Sequence, residues 1–205
     1  MSRIVIVGGH GKVALLLAPI LAERGDDVIS LIRDPDQSAD IVASGATPLI
    51  LSVEEASTEE LANAFAGADA IVWSAGAGGK GGPDRTDAVD RVAAIRSMDA
   101  ASRAGVRRYL MVSWVGSHGD DPVPADHPLR AYAIAKLAAD RHLMGTDLEW
   151  TILGPGTLTF EEPSGRIDVR RSKGRGDPCY TSRANVAQTI AAALAEPASI
   201  GKVIP

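Results

Sequence analysis

The chain has 205 residues, 45% of them apolar, with a net charge of −5 and a mean hydropathy near zero. That size and balance predict one compact domain with its own core, and the interspersed charges of both signs exclude a generic nucleic-acid or membrane binder. A single cysteine, Cys179, excludes a disulfide framework and a four-cysteine zinc site and fits a reducing, cytoplasmic setting. Aromatics are only 4% of residues, which leaves few stacking platforms for single-stranded nucleic acid. The first apolar run, Ile4–Val7, is too short for a signal-peptide core, and no stretch approaches the length of a membrane span. The expected partner is a small-molecule substrate, with neither nucleic acid nor membrane involved; oligomeric state is left open.

In chain order, Arg3–Val7 is β-branched on consecutive positions, the pattern of a strand buried on both faces of a parallel sheet. Val13, Leu16, Leu17, Ile20 and Leu21 then form the stripe of a helix, which Pro19 should kink and Gly25 ends. The same rhythm repeats as strand Val28–Ile32, a helix before Gly45, and strand Pro48–Leu51. Ser57 and Glu60 make a capping box for a helix ending near Gly67. Strand Ala70–Ser74, a glycine-rich loop Gly76–Gly82 and a long helix over about Thr86–Ala104 follow. Strand Arg108–Ser113, helix Leu129–Met144, strand Glu149–Leu153, helix Arg183–Ala195 and a short strand Lys202–Ile204 complete the reading. Strict strand–helix alternation predicts an α/β fold, a doubly wound parallel sheet with right-handed crossovers. The whole chain, 1–205, reads as one domain, with a cofactor-binding core over 1–153 and a dependent substrate-side extension over 154–205.

Gly8-x-x-Gly11-x-x-Ala14 stands between the first strand and the first helix, where a dinucleotide fingerprint belongs. Gly8 permits the tight turn, Gly11 lets the backbone approach a pyrophosphate, and Ala14 allows close packing of helix on strand. The phosphates would meet the unpaired N–H groups and positive dipole end of that helix. Gly9, His10, Lys12 and Val13 belong to the same turn, and His10 and Lys12 either touch phosphate or point to solvent. At the end of the second strand stands Arg33, where an acidic residue would instead bind the ribose hydroxyls of NAD. An arginine there suits the 2′-phosphate of NADP, so NADPH is the preferred cofactor and NAD the alternative. Ser74, Ala75 and Gly76, after the fourth strand, are expected to lie along the cofactor.

Tyr132 and Lys136 are four residues apart on one helix face. A lysine ammonium at that spacing stabilises a phenolate, lowers the tyrosine pKa, and can hold the nicotinamide ribose. Ser113, at a strand's carboxyl end, is the hydroxyl placed to orient a substrate carbonyl. The structural alternative is an aromatic packed on the sheet beside a snorkelling lysine.

These stretches, with Arg107–Ser113 and Trp150–Gly156, resemble the short-chain dehydrogenase/reductase family in its atypical NAD(P)H-binding, NmrA-like branch, across essentially the whole chain. The resemblance implies a Rossmann fold, NADP use and a Ser113/Tyr132/Lys136 triad. It also implies that Asp90 occupies the fourth catalytic position, Asn in the main branch; the plain alternative for Asp90 is a solvated helix carboxylate. Three positions depart from the branch. Ser52 stands near the adenine where relatives commonly carry Asp, Gly154 replaces an Arg, and Asn185 replaces an Asp.

Other candidates are His118 and His127 as alternative proton donors, Trp114 as a pocket wall or packing anchor, and the basic run Arg166, Arg170, Arg171, Lys173 and Arg175 as an anion site or a solvated loop. Four histidines without paired spacing predict no metal site. The expected function is hydride transfer from NADPH to a small carbonyl, quinone or related acceptor. An NADP-binding redox sensor without turnover is the second reading. A nucleotide-sugar epimerase-like enzyme ranks lowest, because little chain remains for a substrate domain.

Overall fold

The structure is a computed structural model that describes residues 1–115, 123–167 and 179–205. Its strands are β1 (Arg3–Val7), β2 (Asp27–Ile32), β3 (Thr47–Ile50), β4 (Ala70–Trp73), β5 (Arg108–Val112), β6 (Glu149–Leu153), β7 (Thr157–Thr159), β8 (Tyr180–Ser182) and β9 (Lys202–Ile204). The helices are α1 (Ala14–Glu23), α2 (Ser38–Ala43), α3 (Thr58–Phe65), α4 (Gly82–Thr86), α5 (Ala94–Arg103), α6 (Arg130–Met144) and α7 (Arg183–Ala195). Among the described residues, seven strands form one sheet in the order β3-β2-β1-β4-β5-β6-β9, every neighbouring pair parallel. This is the Rossmann order, and β1 and β4 flank the point where the chain changes direction across the sheet.

Alternation along each strand divides the core into two layers. Val5, Val7, Ile71, Trp73, Tyr109 and Met111 face α3, α5 and α6. Ile4, Ile6, Val72 and Leu110 face α1 and α7. Tyr109 is consumed by this core: its hydroxyl is bonded to Ser97 Oγ at 2.6 Å, and burial raises its pKa. Ser57 and Glu60 make the capping box at the start of α3, each bonding the other's backbone N–H.

Several sequence expectations need correction. The inward stripe of α1 is Ala14, Leu17, Ala18 and Leu21; Leu16 is 41% exposed and Ile20 half-buried. The helix runs through Pro19 without a break. Pro19 cannot bond the carbonyl of Leu15, but burial of the neighbouring turns against the sheet and α7 outweighs one missing bond. The long helix over Thr86–Ala104 begins earlier, at Gly82, with Pro83 in its first turn, so Gly82 belongs to the helix and not to the loop. It also passes through a π-helical stretch, Asp87–Ala93, before α5. The weak signal after Gly156 hides the two-stranded parallel pair of β7 and β8.

Leu17 has no solvent exposure and lies in the layer between the sheet, α1 and α7. Leu17→Ala should lower the unfolding free energy by about 2–5 kcal/mol, read from the shift of a urea denaturation curve.

Candidate functional site

The turn from β1 into α1 is held against the ends of both neighbouring strands. Gly8 has φ +82°, and a Cβ there would lie 2.7 Å from the Ala75 backbone, so only glycine fits. A Cβ on Gly9 would meet the Ser30 side chain at 2.4 Å. The turn closes on itself through Gly11 N–H donating to Gly8 O at 2.8 Å, and Gly9 N–H donates to Leu31 O of β2 at 2.8 Å. The N–H groups of Lys12 and Val13 donate to no backbone carbonyl among the described residues, so they stay available at the head of α1. This cradle of close glycines and open donors fits a dinucleotide pyrophosphate.

Two adjoining cavities extend from the turn along the carboxyl edge of the sheet, and Gly11, Ser74, Ala75 and Gly76 line both. The first, about 290 Å³, runs toward β2 and β3 past His10, Arg33, Ser52, Glu54 and Arg85. Arg33 is not free there. Its guanidinium donates to Glu54 Oε1 at 3.0 Å, and Arg85 grips the same carboxylate at 2.7 and 3.1 Å. The two arginines, Arg85 foremost, hold the Glu54 carboxyl below its ordinary value. His10 is engaged by Asp40 at 2.7 Å.

The second cavity, about 450 Å³, is lined by Lys12, Val13, Asp90, Ser113, Tyr132 and Lys136. Ser113 follows β5 directly, the strand ending one residue earlier than the sequence predicts. Helix α6 contributes Tyr132 and Lys136, and the π-helical stretch turns Asp90 inward. Asp90 is only 2% exposed and accepts from Ala77 N–H at 3.0 Å, so it is not a solvated helix carboxylate. Burial raises its pKa, against the opposing pull of Lys136. Lys136 is likewise buried and does not snorkel; its ammonium donates to Val112 O at 2.8 Å, and burial lowers its pKa while Asp90 and Asp140 raise it. Trp114 packs edge-on against Tyr132, ring centroids 5.8 Å apart.

The expected lowering of the Tyr132 pKa by Lys136 is not found. Burial raises it, and Asp90 and then Asp140 raise it further by repelling a phenolate. The carboxylates of Asp90 and Asp140 act on both groups, drawing Lys136 toward its charged form and opposing a phenolate at Tyr132.

Asp140 is the site residue that the sequence reading missed. It is fully buried and accepts from Ser113 Oγ at 2.5 Å. Its signal was present as a second step of four residues along α6, from Tyr132 to Lys136 to Asp140. Glu54, Arg85 and Arg183 were missed too, and they carry no comparable spacing. His127 is exposed, accepts from Leu129 N–H and does not line the cavity. Arg166 lines a separate cavity of about 130 Å³ with Cys179 and Asn185, beside the backbone at Pro155. His118 and the remainder of the basic run, Arg170, Arg171, Lys173 and Arg175, lie outside the described residues. Among the described residues no group of three His, Cys, Asp or Glu could hold a metal ion, and no helix is long and apolar enough to cross a membrane.

A parallel sheet with a glycine-shaped phosphate cradle at its switch point is the architecture of a dinucleotide-binding Rossmann protein. Residues 8–197 match the model of the NAD(P)H-binding family, and the chain belongs to that family, within the atypical short-chain dehydrogenases/reductases. It is 33% identical to a Bacillus subtilis protein named as an uncharacterized sugar epimerase, YhfK, over 95% of this chain and 88% of the relative. A structure from Bacillus halodurans, titled for an NAD-dependent epimerase/dehydratase, superposes with a TM-score of 0.90 at 32% identity, covering 99% of this chain and 92% of its own. The oxidoreductase ylbE of Lactococcus lactis superposes with a TM-score of 0.82 at 30% identity, covering 98% and 88%.

Removing a negative charge near Tyr132 should ease formation of its phenolate. In Asp90→Asn, tyrosinate absorbance in an alkaline titration should therefore appear at lower pH than in the wild type, and the difference should vanish in a Tyr132→Phe background.

Proposed function

We propose that the protein is an NADP(H)-dependent oxidoreductase acting on a small carbonyl, quinone or related acceptor. The observation that carries this reading is the meeting of Ser113, Tyr132 and Lys136 around one cavity that adjoins the phosphate cradle. When bound, NADPH supplies the hydride. Tyr132 supplies the proton to the acceptor oxygen; its phenol is protonated at neutral pH, and burial with Asp90 and Asp140 makes it a weaker acid than a free tyrosine. Lys136 has three donors, of which Val112 O takes one and Met111 Sδ, at 3.9 Å, another, and the remaining one is left to meet the nicotinamide ribose. Ser113 gives its hydroxyl hydrogen to Asp140, so in turnover that hydroxyl rotates from Asp140 to donate to the acceptor oxygen. The names of the relatives support the same chemistry class, since epimerases and oxidoreductases of this fold both move hydride on a nicotinamide.

NADP is the preferred form in this proposal. Arg33 and Arg85 share one glutamate at the ribose end, which leaves the pair with a net positive charge for a 2′-phosphate. In this proposal the segment 154–205 serves as a dependent extension of the cofactor core, a reading supported by β9 beside β6 in the main sheet and by α7 packed on α1.

A second reading, an NADP(H)-binding regulatory protein without turnover, is favoured by the Ser113 to Asp140 bond and by the unassisted phenol. Steady-state NADPH oxidation against a panel of aldehydes and quinones separates the two. Tyr132→Phe should lower kcat by about 10²–10⁴-fold and leave the NADPH Kd unchanged. Tight NADPH binding with no oxidation by any acceptor would establish the sensor instead.

The cofactor assignment has its own measurement. Arg33→Ala and Arg85→Ala should each weaken NADPH about tenfold or more, with NADH affinity little changed. Equal affinity of the wild type for both nucleotides would overturn the preference.

A further inference from the structure

The cavity that holds Tyr132 and Lys136 has a cationic mouth whose charge the reaction itself does not use. Lys12, from the phosphate turn, and Arg183, the first residue of α7, both line it, together with Leu158 of β7. Phe160, just beyond β7, is 73% exposed, yet its ring is not isolated. Lys12 Nζ stands 4.6 Å and Arg183 Cζ 4.2 Å from the ring centroid. One guanidinium nitrogen of Arg183 donates to the carbonyls of Leu158 and Thr159, at 3.0 and 2.9 Å. Those bonds fix the guanidinium at the rim and leave its other donors for a ligand. Neither Lys12 nor Arg183 forms an ion pair with a carboxylate among the described residues.

A solvated surface cation needs no partner, but these two differ from that case. They converge on one aromatic ring, one of them is immobilised, and both belong to the wall of the reaction cavity. The chain as a whole is acidic, at −5, so an anionic ligand meets general repulsion except at such a local positive rim. The inner end offers an anion nothing comparable, because the charge of Lys136 is already opposed by Asp90 beside it. A ligand with one charged end and one reactive end is therefore oriented, anionic group outward on Lys12 and Arg183 and carbonyl inward toward Tyr132.

On the reading of the site as that of an oxidoreductase, we infer that Lys12, Arg183 and Phe160 select acceptors carrying an oxyanion group, a carboxylate or phosphate, attached to a flat apolar body. The guanidinium supplies the paired donors that such groups accept, and Phe160 supplies an apolar face at the rim.

The test compares para-carboxybenzaldehyde and para-formylphenyl phosphate with the neutral methyl ester of the first. For each, NADPH oxidation is measured at steady state, and binding to the NADP⁺-saturated protein is measured by calorimetry. In the wild type at least one charged aldehyde should exceed the ester in kcat/KM by about tenfold, through KM, and whichever does identifies the group as carboxylate or phosphate. Arg183→Gln should bring that ratio close to one, Arg183→Lys should retain part of it, and the NADPH Kd should stay at its wild-type value in both. A merely structural role for Arg183, through the β7 carbonyls, would lower charged and neutral substrates alike and leave the ratio intact, which overturns the inference. So would a wild type that shows no charge preference, or an Arg183 variant that weakens NADPH itself. If no aldehyde is reduced but the charged ones bind in an Arg183-dependent manner, the anion site stands, and the oxidoreductase reading falls when the quinone panel is not reduced either.

Discussion

Everything at the site depends on one close approach, the backbone of Gly8 against the backbone of Ala75. Parallel pairing brings the carboxyl ends of β1, β2 and β4 to one edge, with Val7 opposite both Leu31 and Trp73. The chain leaving β1 must then turn in the narrow space between its two neighbours. A side chain at Gly8 would fill that space, and one at Gly9 would strike Ser30 on the other flank. Because the turn is seated this deeply, α1 begins with its open N–H groups at the floor of the crevice. The two cavities run from that floor, so a bound dinucleotide would have its phosphates at the centre and its two ends directed apart.

Electrostatics divides the crevice into three zones. At the ribose end, Glu54 holds two arginines together in a partly buried cluster, with Asp34 and Glu55 on the same surface. In the reaction cavity, Lys136 and Asp90 are both withdrawn from water, and burial penalises the charged form of each; their mutual attraction opposes that penalty. At the mouth, Lys12 and Arg183 stack against Phe160 in contact with solvent. In the inner zone and at the ribose end the charges are thus engaged with the protein's own groups, while at the mouth they face solvent.

Legibility in the sequence followed the range of each interaction. Tyr132 and Lys136 were visible because four residues in a helix always place two side chains on one face. Asp140 obeys the same rule but reads, in isolation, as one more helix carboxylate; its meaning comes from Ser113, 27 positions away in sequence. Asp90 could be named from the family resemblance, while its burial depends on the π-helical stretch that no local pattern announced. Arg33 was legible as the residue ending a strand. Its partners Glu54 and Arg85 come from two other loops that meet it only in the folded sheet.

The sequence by itself determined the alternation of strands and helices, the all-parallel sheet and the glycine turn that opens α1. These rest on hydrophobic period, capping residues and short spacings, all of which act within a few residues and survive in any arrangement of the rest. Only the tertiary structure decided which charges are buried, which are paired and which face a ligand. Lys136 turned to Val112, the phenol of Tyr132 buried beside two carboxylates, Ser113 committed to Asp140 and the gathering of Lys12 and Arg183 on Phe160 at the cavity mouth are all consequences of partners distant in the chain. Such partners decide protonation and orientation because Coulomb attraction and desolvation depend on separation in space and depth below the surface, neither of which spacing along the sequence encodes.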